Sequence, residues 1–307
     1  ATRHQGLATA REARALGVQW IFAPVADVNN NPQNPVINIR SYGENPEEVA
    51  QHVAAYIDGA HSDPKNVVLV SAKHFPGHGD TNADSHKELP VVDASRERLE
   101  AVEFAPFRRA TAAGVASLMT AHVLFRALDE RLPATLSPDI ITHLLREQMG
   151  YDGVVLTDDL EMHAIVDHYG PRDAAVRAFL AGCDVLLICK ERDREIAAFE
   201  AIEKAVASGT IDTARLDLSV ARIQRIKQRF RIEYRRQWLG FAAPCQVVGI
   251  SAGVAGIAIA GLACIFKTDL DGWESREFSD LVGYQLIARD AGLDVDESLL
   301  YLHAGEI

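Results

Sequence analysis

Short apolar runs recur along this chain, and most empty directly into ionisable residues. Val18–Val25 (VQWIFAPV) leads to Asp27, and Val67–Ala72 (VVLVSA) leads to Lys73 and His74. Val115–Ala121 (VASLMTA) leads to His122, and Gly153–Thr157 (GVVLT) leads to Asp158 and Asp159. A further run, Cys183–Cys189, follows. Continuous apolar runs, as opposed to alternating ones, read as strands covered on both faces. Helix-forming stretches stand between them. These are Gly6–Leu16, a segment opened by Asn45-Pro46-Glu47-Glu48, and Ser95–Ala113 with a kink expected near Pro106. Ser137–Met149, Arg172–Ala181, Ile196–Ala207 and the amphipathic Leu216–Phe230 complete the set. Strand and helix in alternation imply a parallel sheet with helices on both faces. Polar candidates at several strand ends favour a TIM-type (β/α) barrel, whose chemistry sits at the carboxyl ends of its strands. A doubly wound sheet is the alternative, and it would gather chemistry at one switch point.

The most concentrated stretch is Lys73–Pro90, KHFPGHGDTNADSHKELP. It holds His74, His78 and His86 with Asp80 and Asp84, punctuated by Gly77 and Gly79. Asp84 and His86 are two residues apart, so in extended backbone they point to one side. Asp84 can then accept a hydrogen bond from one imidazole nitrogen and raise the basicity of the other. Such a histidine is suited to proton transfer near neutral pH. The plainer reading is an Asp–His pair capping a turn. His78 and Asp80 are read as shaping the loop. The histidines fit no short helical ligand motif such as HExxH, and the site is read as free of metal and cofactor.

The chain has 307 residues, enough for one large domain or two smaller ones. A net charge of −12, from 31 basic and 43 acidic residues, argues against a nucleic-acid partner. Cys183, Cys189, Cys245 and Cys264 form no CxxC pair and are read as small buried apolar residues.

Three segments, IRSYG at Ile39–Gly43, KHFPGHGDTNADSH at Lys73–His86 and GVVLTDDLEM at Gly153–Met162, together carry a resemblance. The chain resembles glycoside hydrolase family three, and within it the bacterial β-N-acetylglucosaminidases, from about residue 6 to about residue 230. The resemblance implies a TIM-type barrel and hydrolysis with retained anomeric configuration. It implies Asp158 as nucleophile, His86 as general acid/base and Asp84 as its dyad partner. It implies that Arg40, Lys73 and His74 hold sugar hydroxyls; His122, at a strand end, is added as a pocket-lining candidate. Asp159 is read as structural, and Glu161 as altering the pocket edge. The implied substrate is a carbohydrate ending in non-reducing β-N-acetylglucosamine, either a peptidoglycan muropeptide or a chito-oligosaccharide. A phosphorylase variant and a non-catalytic, sugar-binding remnant are the alternatives. The implied location is the cytoplasm.

Two departures accompany the resemblance. A closed barrel needs eight strands and about five are legible here, so the barrel is expected to be incomplete over residues 1–236, lacking an upstream aspartate and arginine of the sugar site. Without closure, the chain is expected to be nearly inactive. After Arg236 the resemblance ends, and residues 237–307 are an unassigned tail. Within it, Leu239–Phe266 has no charged residue and is long enough to cross a bilayer, which takes about 20 residues. Arg229, Arg231, Arg235 and Arg236 would place its start on the cytoplasmic side. The alternative is a buried element of a small appended domain.

Overall fold

The computed structural model describes residues 1–230. The tail segment 239–266, Cys245 and Cys264 lie outside the described residues. Among the described residues, no helix is long and apolar enough to cross a membrane.

The apolar runs form strands β1 (Trp20–Ile21) and β2 (Leu69–Phe75), and, further along, β4 (Ser117–Thr120), β6 (Val154–Asp159) and β7 (Val185–Leu187). They pair in parallel in the order β1-β2-β4-β6-β7 and curl into a half-barrel of five strands. The order follows the chain without reversal. This is the barrel arrangement, and a doubly wound sheet would break it at a switch point. β2 runs three residues past the expected end, so Lys73 and His74 stand on the strand and not in the loop after it. Two short strands, β3 (Val91–Val92) and β5 (Leu124–Phe125), pair in parallel outside the main sheet. They tie the loop after β2 to the loop after β4. Two residues each are too few to show as an apolar run.

Alternation along each strand separates two cores. Ile21, Val70, Ala72, Leu118 and Val155 face the layer of helices. Trp20, Leu69, Met119, Leu156, Val185 and Leu187 form a smaller cluster on the concave face. A polar bridge crosses that face. Trp20 Nε1 donates to Ser71 Oγ at 2.7 Å and to Ser117 Oγ at 3.1 Å, and the two hydroxyls are 2.6 Å apart.

The helices form where their termini are satisfied. Asn45 caps Pro46–His61 by accepting from Glu47 N and Glu48 N, with Pro46 in the first turn. The expected single helix over Ser95–Ala113 is two, Arg96–Ala101 and Phe104–Ala112. The break is at Val102–Glu103, not at Pro106. Pro106 sits in the first turn of the second helix, where its missing N–H costs nothing. The helix expected from Arg172 begins earlier, at His163, and bends at Gly170 (φ 66°), ahead of Pro171.

The last helix, Thr213–Arg229, lies across the amino ends of the strands. Arg222 and Arg225 pair with Asp152, ahead of β6. Arg215 reaches the Cys183 carbonyl ahead of β7, and Arg229 the Gly114 carbonyl ahead of β4. Its Val220, Ile223 and Ile226, with Phe230, close the concave cluster from below. The carboxyl ends of the strands stay open.

Asp184 is the hub of this amino-end closure. Its side chain is fully buried and takes Arg146 at 2.6 Å, Arg222 at 3.2 Å, Arg215 at 3.5 Å and Ser219 Oγ at 2.6 Å. Asp184→Asn removes the buried anion that three half-buried guanidiniums share. The expected loss is about 3–5 kcal/mol of folding stability, read from urea denaturation midpoints. A loss below about 1 kcal/mol would show that the arginines find other partners.

Cys183 is buried, whereas Cys189 is exposed. The expectation of burial fails for Cys189 because β7 ends at Leu187 and the chain there has already turned toward solvent.

Candidate active site

The site is built where the chain leaves β1, β2, β4 and β6. Beyond β1 the backbone stays alongside β2, with Val25 bridging to Lys73 and Ala26 N donating to Lys73 O at 2.6 Å. This carries Asp27 beneath the turn after β2. Asp27 is fully buried. Its carboxylate accepts His78 N at 2.6 Å, His74 N at 3.1 Å and His74 Nδ1 at 2.8 Å. Burial alone would raise its pKa, but the two imidazoles and the backbone donor outweigh that and lower it.

His74 then turns Nε2 toward Asp158, 3.9 Å from Oδ2. Asp158 is the penultimate residue of β6, and Asp159 N donates to its Oδ1 at 2.8 Å. Burial pushes the Asp158 carboxyl up; His74, His122 and Lys73 together hold it below the ordinary carboxylate range. The result is a half-buried, ionised carboxylate at the mouth of the half-barrel.

Asp159 behaves oppositely. Burial, with Glu161 and Asp158 nearby, raises it to about 6, although Glu161 N donates to it. Glu161 itself is buried and accepts from Cys189 N and Glu191 N at 2.9 Å and 3.1 Å, and from Lys190 N. It pins the turn after β7. His122 is 1% exposed, donates Nε2–H to the Asp159 carbonyl at 2.9 Å, and has Thr135 Oγ1 at 2.7 Å from Nδ1. Both ring nitrogens are engaged within the protein, so it acts on Asp158 through its field and keeps none for a sugar hydroxyl.

The dyad forms, by a different geometry from the extended one expected. Asp84 Oδ1 accepts both His86 N at 2.9 Å and His86 Nδ1 at 2.8 Å. Lys87 N and Glu88 N donate to the Asp84 carbonyl, so the pair is built into a tight turn. The side chain of His86 is 50% exposed, with Nε2 the nitrogen left for proton transfer. Burial pushes Asp84 up, but the His86 donors and Lys87 lower it overall.

His78 carries this loop from below. It is 2% exposed, with Nδ1 at 2.8 Å from Thr81 Oγ1 and Nε2 at 2.9 Å from Ser85 Oγ. Asn34 Nδ2 donates to the His78 and Gly79 carbonyls at 2.8 Å and 2.9 Å. The loop needs its glycines for room. A Cβ on Gly79 would lie 1.7 Å from the Val28 carbonyl oxygen, and one on Gly77 (φ +142°) 2.8 Å from Glu103 Cβ. Burial lowers His78 to about 4 from 6.5. A histidine depressed in the folded state contributes stability that is fully present above pH 6.5 and is lost as pH falls toward 4. The linked loss is roughly 3 kcal/mol at 1.4 kcal/mol per pH unit. His78→Gln is expected to flatten the fall of the urea midpoint between those pH values; an unchanged slope would show that His78 does not titrate there.

Arg40 is half-buried, donates Nη1 to the Val36 carbonyl at 3.3 Å, and leaves Nε buried with no hydrogen-bond partner among the described residues. Lys73 is half-buried on the concave side and acts on Asp158. Among the described residues, no group of three or more His, Cys, Asp or Glu side chains converges as a metal site.

The N-terminal domain of glycosyl hydrolase family 3 matches residues 1–226. The chain belongs to glycosyl hydrolase family 3. It is 38% identical over 240 residues to beta-hexosaminidase A of Pseudoalteromonas piscicida, covering 72% of this chain and 40% of that protein. It superposes on a family 3 beta-N-acetylglucosaminidase from Paenibacillus with TM-score 0.73 and 43% identity, over 84% of this chain and 48% of that one. A beta-glucoside phosphorylase superposes with TM-score 0.70 and 28% identity, over 75% of this chain and 42% of that one. The chain therefore spans about half the length of the relatives it matches.

Sequence reasoning noted Asp27 as a strand-end residue but gave it no part in the site. Its only local signal is a buried-strand exit; its partners lie on β2. Glu161, read as altering the pocket edge, has a further duty with no local signal, because the backbone it caps lies far along the chain.

Proposed function

We propose that residues 1–236 carry the catalytic part of a retaining β-N-acetylglucosaminidase. The observation that carries this reading is an ionised Asp158 and the Asp84–His86 dyad standing on strand-end loops of one family 3 half-barrel. Asp158 attacks the anomeric carbon as the glycosidic C–O bond breaks, and His86 Nε2–H gives its proton to the leaving oxygen. His86 then takes a proton from water, whose oxygen displaces Asp158 from the anomeric carbon. Two inversions leave the configuration retained. Asp84 accepts from Nδ1–H, which supports the imidazolium whose Nε2–H is transferred and leaves Nε2 as the base for the second step. Lys73, His74 and Arg40 orient the sugar. The proposed substrate class is a GlcNAc-terminated muropeptide or chito-oligosaccharide in the cytoplasm; the names of the beta-hexosaminidase relatives support the hexosaminide part of this reading.

The test is release of 4-nitrophenol from its N-acetyl-β-glucosaminide, with the first-formed anomer read by NMR. A β product supports the reading and an α product overturns the retaining mechanism. No release, with sugar still bound in calorimetry, assigns a sugar-binding role instead. The phosphorylase reading rests on the acid/base being an imidazole, which does not repel phosphate as a carboxylate does. Formation of N-acetylglucosamine 1-phosphate only when phosphate is added would select it.

A further inference from the structure

Asp27 is the most buried ionised group of the site, and the chemistry above makes no use of it. Its two oxygens divide the work. Oδ1 takes the backbone N–H groups of His74 at 3.1 Å and His78 at 2.6 Å, so it holds the main chain after β2. Oδ2 takes the His74 ring at 2.8 Å, with a longer contact to His74 N at 3.2 Å. A carboxylate oxygen only accepts, so Nδ1 must be the donor and carry the proton. The ring is edge-on to His78, with centroids 5.8 Å apart, and is 5% exposed. It cannot turn without breaking that bond. Nε2 is thereby left as the nitrogen that faces Asp158.

We propose that Asp27 is a positioning residue for Asp158, acting through His74: it fixes the imidazole by Nδ1 so that Nε2 is aimed at the Asp158 carboxylate. The inference deepens the glycosidase reading and rests on Asp158 being the reacting carboxylate. Asparagine at position 27 isolates the effect. Its carbonyl oxygen can keep the main-chain donors of Oδ1, while its NH₂ meets Nδ1 and forces it to accept. The neutral ring proton then moves to Nε2, and the ring no longer has a carboxylate to support its positive charge. His74 is one of the charges that hold Asp158 down.

The experiment uses the full chain without substrate. Two-bond ¹H–¹⁵N spectra report the protonated nitrogen of His74, and ¹³C carboxyl shifts report the titration of Asp158. The wild-type ring is expected to carry the proton on Nδ1. In Asp27→Asn the neutral ring is expected to carry it on Nε2, with Asp158 about tenfold weaker as an acid, near one pH unit higher. His74→Gln is expected to weaken Asp158 as much, and adding Asp27→Asn to it to change nothing further. An equal extra shift in the double variant would show that Asp27 acts without His74 and would overturn the proposal. Should Asp27→Asn not fold, the wild-type spectrum decides alone: a ring protonated only at Nε2 overturns the proposal. None of these readings uses turnover. If Asp158 is not the nucleophile, covalent labelling fails at Asp158 while the His74 coupling stands.

Discussion

Asp158→Asn is expected to lose turnover by on the order of 10⁴-fold or more, the scale on which a member of a catalytic unit is missed, and to keep its fold. On the proposed mechanism the isosteric amide cannot attack the anomeric carbon, so no covalent glycosyl-enzyme is expected. The fold is expected to persist because, among the described residues, the Asp158 side chain accepts a backbone hydrogen bond from its neighbour Asp159 N and from no other element. The measurement is chromophore release by whichever form of the protein turns over, beside far-UV circular dichroism. A fluorinated GlcNAc analogue is expected to add its glycosyl mass to the peptide carrying Asp158. Asp159 is the internal control. Its carboxylate accepts from Glu161 N at 3.0 Å and so is engaged with the backbone at the strand end. A label on Asp159, or turnover retained by Asp158→Asn, rejects the assignment.

His86→Ala costs in proportion to how much the leaving group needs its proton. For unactivated disaccharides the expected loss is about 10²- to 10⁴-fold, the usual worth of a positioned acid. Aryl glycosides with acidic phenols are expected to lose far less in the glycosylation step. Stability is expected to be unchanged, because half of the His86 side chain is in solvent and among the described residues its bonds run to Asp84. Asp84→Asn falls between wild type and His86→Ala: the ring stays, but an amide no longer forces the proton onto the correct nitrogens. An equal loss for good and poor leaving groups, or a lowered melting temperature in His86→Ala, makes His86 a structural residue.

The parts of this site legible in the sequence are those made by short stretches of chain. Asp158 could be found because an apolar run ends in it, and burial of a strand is encoded by its own residues. Asp84 and His86 could be paired because a single residue, Ser85, separates them. Their geometry was still misjudged: the run reads as extended, yet Asp84 accepts from His86 N and closes a turn. Asp is ambiguous there because its oxygens serve a neighbouring side chain and the backbone equally well. The helix break at Val102–Glu103 was misplaced because proline is tolerated in a first turn and informs on a kink only inside a helix.

The succession of the five main strands and of most helices was legible in the sequence alone, as were the strand ends rich in ionisable residues and the carboxylate and dyad standing there. Apolar periodicity states which residues avoid water, and that is a property of each segment alone. Only the tertiary structure decided which distant groups share one buried volume. Asp27 meets His74 because β1 pairs with β2 in a particular register, and a shift of one residue would turn the carboxylate away. His122 spends both nitrogens on Thr135 and Asp159, and Asp184 collects arginines from two helices across the amino ends of the strands. Buried polar groups must find partners wherever packing puts them, and the identity of those partners is written in the fold's geometry, not in any local stretch of chain.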